Sequence, residues 1–134
     1  MLKISLLTIT TEFRYEFLEL CRDCILNQKT DKRFEIIEWI VVDGTKEYTG
    51  YLKDKITKTF YDKVRYYRQS EEDKNYAIGH LRNIGNAQCK GDIIIVMDDD
   101  DYQFPMRVKS TVDILIKNPK IEIVGEYQNG LYDF

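Results

Sequence analysis

Residues 93 to 96 read Ile-Ile-Ile-Val and run through Met97 into four aspartates, Asp98 to Asp101. An uninterrupted apolar run of this length suits a strand buried on both faces, whereas the acids that follow must leave the core, so the environment changes at about residue 97. Phe34 to Val42 makes a second run of this kind: Ile36, Ile37, Trp39, Ile40, Val41 and Val42 leave few polar positions before Asp43-Gly44. Leu2 to Ile9, ending in Thr8-Ile9-Thr10, gives another, with a shorter strand at Val64 to Tyr67 and a last one at Ile121 to Val124. Between them the apolar spacing is helical, as in Phe13, Phe17, Leu20, Cys21, Cys24 and Ile25. Further helices are predicted within Tyr48 to Tyr61, from an N-cap at Asn75 to about Cys89, and from Pro105 at a first turn to about Lys117, where Asn118-Pro119 breaks the pattern. Strands apolar on both faces and alternating with helices predict a mainly parallel sheet covered on both sides, in one domain spanning residues 1 to 134.

Ligands of such sheets bind at the carboxyl ends of the strands. The polar residues there are Thr8 and Thr10, Asp43, and the aspartate run. Neighbouring carboxylates repel in a partly desolvated cleft, and a divalent cation resolves the repulsion. Oxygen-only ligands suit Mg²⁺ or Mn²⁺, commonly completed by substrate phosphates. In an extended chain Asp98 and Asp100 would point to one side and share a ligand. The competing reading is a solvated turn. An EF-hand starting at Asp98 is excluded, because Gln103 and Lys109 stand where glycine and glutamate belong. A phosphatase-like Asp-x-Asp usually opens its domain, and this one stands near the end of the chain.

The remaining features narrow the function class. The net charge of -3 and the scattered lysines argue against a nucleic-acid face. No apolar run reaches the roughly 20 residues of a membrane span, which predicts a soluble, cytoplasmic protein. Three cysteines, with Cys21 and Cys24 in mid-helix, fit a reducing compartment and read as buried or half-buried thiols, not as a zinc or redox pair.

Taken together, Thr8 to Thr10, Ile40-Val41-Val42-Asp43-Gly44, Arg82-Asn83-x-Gly85-x-Ala87-x-x-x-Gly91-Asp92 and Ile95-Val96-Met97-Asp98-Asp99-Asp100-Asp101, with Pro105 and Arg107 behind, resemble the inverting GT-A glycosyltransferases of the family 2 type. The resemblance implies a Rossmann-like three-layer α/β/α sandwich, truncated relative to full-length members. It implies a nucleoside pocket lined by Thr8, Ile9 and Thr10, with Asp43 bonded to the uracil and Arg82 near the base or diphosphate. Asp98 would face the ribose, Asp100 would meet a Mn²⁺ or Mg²⁺ ion bridging the diphosphate, Asp99 would lie along the nucleotide, and Asp101 would be a supporting or alternative metal ligand. The donor would be a UDP-sugar and the acceptor a glycan, protein or lipid.

Each residue also has a plainer reading. Asp43 can cap a turn with Gly44, Arg82 can pair with a surface acid, His80 can be structural, and Tyr66, Tyr67 and Tyr127 can be packing residues. Arg107 is read as bracing the aspartate loop. The resemblance also implies a second half with an acidic base, and Glu122, Glu126 and Asp133 carry no motif that marks one. A shared site in a homo-oligomer and a non-catalytic nucleotide-sugar module both remain open.

Overall fold

The computed structural model describes residues 1 to 125 and the backbone of a short strand at Gly130–Leu131. Four strands, β1 (Leu2–Thr10), β2 (Phe34–Asp43), β3 (Val64–Arg68) and β4 (Ile93–Val96), form a parallel sheet in the order β3-β2-β1-β4. The first crossover runs through a 3₁₀ turn at Glu12–Arg14 and helix α1 (Tyr15–Leu26). Helices α2 (Tyr51–Thr59) and α3 (Ile78–Gln88) make the next two, and α4 (Arg107–Lys117) follows the aspartates. A two-residue strand β5 (Asp101–Tyr102) pairs antiparallel with β6 (Gly130–Leu131).

The sheet has the two apolar faces that its sequence requires. On one face Ile4, Leu6, Trp39 and Val41 pack with Leu18, Cys21 and Ile25 of α1, Leu52 and Ile56 of α2, and Val108 and Val112 of α4. On the other, Leu7, Ile40 and Val42 meet Leu81 and Ile84 of α3. The result is a three-layer α/β/α sandwich. Among the described residues no helix is long and apolar enough to cross a membrane.

Glycine lets α3 and its exit approach the sheet. A β-carbon on Gly85 would collide with Leu7 and meet Val42 Cγ2 at 3.0 Å. One on Gly91 would lie 2.6 Å from the Ser5 amide nitrogen and 2.9 Å from the Lys3 carbonyl oxygen, backbone atoms with nowhere to move. The turn at Gly91 is further tied to the sheet by its own N–H, which donates to Ser5 Oγ at 2.8 Å, and by the Lys90 N–H, which donates to buried Glu38 at 2.6 Å.

Several local expectations are corrected. Asn75 does not cap α3; its Oδ1 accepts from the Ala77 N–H at 3.1 Å, closing a turn that precedes the helix. Pro105 lies two residues before α4, in a turn, because the chain must first return from the aspartates. Phe13 is 85% exposed and precedes α1, whose buried residues start at Leu18. Ile121 to Val124 form no strand: Ile121 and Ile123 are exposed, and the run finds no partner strand among the described residues. Glu126, Tyr127 and Asp133 lie outside the described residues.

Two measurements check this packing. Gly91→Ala is expected to lower unfolding stability by about 1–3 kcal/mol in urea titration, since overpacking against fixed backbone cannot relax. At the lower end of the sheet, hydrogen bonds from Arg33 hold the Asp31 carboxyl down at about 2, against an ordinary value of 3.8. A depressed carboxyl stabilises the fold above its unfolded value and loses that contribution as pH falls through its folded value. Asp31→Asn is therefore expected to be less stable than wild type at neutral pH, with the gap closing between pH 3.8 and about 2 in pH-dependent denaturation.

Candidate functional site

The carboxyl ends of β1, β2 and β4 open onto a cavity of about 770 Å³, a size suited to a small-molecule ligand. Its walls come from Ile9 to Thr11 with Phe13 and Arg14, from Gly44 to Glu47, from Tyr76, Ile78, Leu81 and Arg82 at the start of α3, and from Asp98 to Asp100.

The aspartates do not continue the strand. Residues 99 and 100 turn, and the Asp101 N–H approaches the Asp98 carbonyl at 3.4 Å, so the expected extended alternation is absent. Mutual repulsion of four carboxylates favours such divergence, and each carboxylate has a different setting.

Asp99 turns inward and is only 4% exposed. Its Oδ2 accepts from Thr10 Oγ1 at 2.7 Å and from Arg14 Nε at 2.9 Å, while its Oδ1 accepts from Arg14 Nη2 at 2.9 Å. This is a bidentate guanidinium–carboxylate pair, the geometry in which arginine binds most strongly. The hydrogen bond to Asp99 is the chief cause of a raised Arg14 pKa. Arg14 also reaches Asp100 Oδ2 at 3.1 Å. Asp98 receives Arg82 Nη2 at 3.5 Å. The Asp98 and Asp100 side chains stay 48% and 53% exposed on the cavity wall.

Asp101 enters β5 and does not line the cavity. Burial, then the charges of Asp100 and Asp98, push its carboxyl upward, and Arg107 partly offsets them. Arg107 Nη1 donates to Gln103 Oε1 at 3.0 Å, in the segment that follows the aspartates. Gln28 braces the same segment: its amide donates to the Phe104 carbonyl at 2.8 Å, and its carbonyl accepts from the Val108 N–H at 3.0 Å.

Ile9 and Thr10 line the cavity, but Thr8 does not. Thr8 Oγ1 accepts from the indole N–H of Trp39 at 2.9 Å and donates to the Met97 carbonyl at 2.6 Å, joining the core to the root of the aspartate loop. Asp43 is also fully buried. Its Oδ1 accepts from the Thr45 N–H at 2.9 Å and the Thr45 hydroxyl at 2.5 Å, and its Oδ2 accepts from the Tyr66 hydroxyl at 2.5 Å. Gly44 and Thr45, not Asp43, present surface to the cavity. His80 Nε2 pairs with Asp73 Oδ2 at 2.6 Å, away from the cavity lining. Cys21 and Cys24 are buried and not disulfide-bonded, and burial raises the Cys21 pKa.

Sequence reasoning missed Arg14, Thr45, Gln28 and the hydroxyl of Tyr66. An arginine four residues beyond a strand that faces an acidic run was a usable signal for Arg14. Nothing local marked Gln28 as a brace, since the carbonyls it holds at Gln103 and Phe104 lie about 75 residues away.

The model of glycosyl transferase family 2 matches residues 7–131. The chain belongs to glycosyl transferase family 2. Among curated relatives, a hyaluronan synthase of Pasteurella multocida is 31% identical over 119 residues, covering 87% of this chain and 11% of the relative. A chondroitin synthase of Escherichia coli is 27% identical over 121 residues, covering 89% of this chain and 16% of the relative. The family 2 domain described here thus spans a small part of those proteins. Among solved structures, Staphylococcus aureus TarS 1-349 in complex with UDP-GlcNAc superposes with a TM-score of 0.64 at 19% identity, covering 87% of this chain and 32% of that one. A further structure of TarS 1-349 gives 0.65 at 18% identity, over 92% and 38%. At these identities the likeness establishes a shared glycosyltransferase fold.

The Asp99 pair is open to a direct test. Arg14→Met leaves a buried carboxylate with a single hydroxyl donor and is expected to cost about 2 kcal/mol, below the roughly 3–5 kcal/mol of a fully buried pair because Arg14 is part-exposed. Adding Asp99→Asn is expected to recover part of that loss, read as a positive coupling energy in a double-mutant cycle of urea denaturation.

Proposed function

We propose that this domain holds a UDP-sugar and a Mn²⁺ or Mg²⁺ ion in the cavity and is the donor-binding half of an inverting glycosyltransferase acting on a glycan, protein or lipid acceptor. The observation that carries the reading is the division of labour among the aspartates. Asp99 is committed to Arg14 and Thr10, while Asp98 and Asp100 keep about half of their surface on the cavity wall.

The donor set fits a hard cation shared with a phosphate. Among the described residues no group of three or more His, Cys, Asp or Glu is placed to hold a metal alone. Two exposed carboxylates would supply part of a shell, and diphosphate oxygens and water the rest, which is the usual way Mg²⁺ is bound. When bound, the cation supplies charge neutralisation for the departing nucleoside diphosphate. Arg82 lines the same cavity with its side chain 39% exposed, so its guanidinium can donate to a phosphate oxygen there.

Family membership supports the reaction class, and the TarS complexes with UDP and UDP-GlcNAc show that this fold accommodates that donor in a neighbour. Ile9, Thr10 and the Gly44 to Glu47 wall are the surfaces offered to the nucleoside. Thr8 and Asp43 act from behind that surface by fixing Met97 and Thr45, and Asp99, on the cavity wall, fixes Arg14. Asp101 remains a supporting acid behind Asp100. A nucleotide-sugar-binding module without turnover uses the same cavity and differs only in releasing no product.

Calorimetric titration of UDP with and without Mn²⁺ tests the proposal. Metal-dependent binding of UDP, preferred over ADP and weakened at least tenfold in a variant carrying Asp98→Ala and Asp100→Ala, is expected. Equal binding in that variant would sink the assignment. Release of sugar or its transfer from UDP-sugars, assayed next, separates enzyme from binding module.

A further inference from the structure

We infer that Tyr66 is a positioning residue for base recognition in this cavity: its hydroxyl anchors Asp43, and Asp43 in turn holds the Gly44-Thr45 wall in the shape that the nucleoside meets. This deepens the donor-site reading above and rests on it.

The chain of contacts crosses three elements. Tyr66 in β3 donates to Asp43 Oδ2 at 2.5 Å. Asp43, the last residue of β2, accepts on Oδ1 from both the N–H and the hydroxyl of Thr45. Thr45 Oγ1 then accepts from the Glu12 N–H at 3.0 Å, in the turn that follows β1. Arg68, two residues beyond Tyr66, donates to the Thr45 carbonyl at 2.5 Å and lies 4.3 Å over the ring of Tyr48. Thr45 is therefore fixed through its N–H, its hydroxyl and its carbonyl, although it is a loop residue.

The chemistry makes the arrangement one-directional. Both oxygens of Asp43 accept, and the Thr45 N–H, the Thr45 hydroxyl and the Tyr66 hydroxyl all donate to them. Burial, then the bond to Asp43, pushes the Tyr66 hydroxyl far above its ordinary range and keeps it a donor. With Asp43 fully buried and both its oxygens engaged, a base in the cavity meets Gly44 and Thr45 first. Gly44 fits because its amide donates to the Thr10 carbonyl at 2.8 Å, and a β-carbon there would lie 2.7 Å from Leu81 Cδ1. The walls after β1 and β2 are thereby tied to one another, and Asp43 and Tyr66 brace them from outside the cavity lining.

The test uses the full chain, with Tyr66→Phe as the main variant, Thr45→Val as a second that keeps the tyrosine, and Thr45→Ser as the conservative control. Amide hydrogen exchange of Thr45 in ligand-free protein is expected to speed up about fivefold in Tyr66→Phe, the scale of one lost hydrogen bond. UDP is expected to bind Tyr66→Phe and Thr45→Val about fivefold or more weakly with little change for ADP, so that the preference between them narrows, and Thr45→Ser is expected to retain wild-type values. Unchanged Thr45 exchange in Tyr66→Phe overturns the anchoring. Faster exchange with an unaltered UDP-to-ADP preference overturns the role in recognition and leaves Tyr66 a packing residue. A wild-type protein that binds no UDP overturns the donor-site reading and the recognition role together, while Thr45 exchange still decides the anchoring.

Discussion

Burying one carboxylate so that its neighbours can remain exposed is the constraint around which this cavity is built. Four adjacent acids at one strand end would repel one another in any common orientation. Turning Asp99 inward against Arg14 and Thr10 removes one charge from the competition and spends most of a guanidinium on it. The turn that does this also separates Asp98 from Asp100 and sends Asp101 into β5. The same contact fixes the segment after β1, since Arg14 closes the 3₁₀ turn that carries Phe13 to the cavity mouth.

The parallel sheet is what allows so few contacts to suffice. Its strand ends lie side by side, so one hydroxyl can reach from β1 to the aspartate loop, as Thr10 and Thr8 do. Close approach of α3, permitted by Gly85 and Gly91, then sets Leu81 and Arg82 over the same end. At the ends of β1, β2 and β4 the cavity is supported by the buried polar residues Thr8, Asp43 and Asp99, whose side-chain oxygens are hydrogen-bonded, the condition under which polar groups can be held in an interior at all.

Much of this was legible in the sequence because it depended on burial. Runs such as Ile93 to Val96 and Phe34 to Val42 admit little besides two-sided strands, and the order of strands and helices then restricts the topology. The place of the site followed from the strand ends. Orientation was not legible: whether Asp98 to Asp101 stay extended depends on which of them finds a cation, and Arg14 lies 85 residues away in sequence. The burial of Asp43 was hidden for the same reason, because its partner Tyr66 reads as an ordinary strand tyrosine until its hydroxyl is located. Ile121 to Val124 misled in the opposite direction. Its alternating pattern resembles a strand, but pattern records only what a segment could bury and says nothing of whether a neighbour is there to bury it.

The hydrogen bond from the Trp39 indole to Thr8, relayed to the Met97 carbonyl, has a consequence for how such a domain can diverge in sequence. Trp39 is the largest fully buried side chain, stacked on Phe60, and would ordinarily tolerate exchange for another bulky apolar residue. Here its ring nitrogen is also a fixed point for the loop that bears the acids. A substitution that refills the same volume without that N–H preserves the interior yet frees the hydroxyl beneath the loop, so conservation of this core residue would track ligand chemistry as closely as it tracks folding.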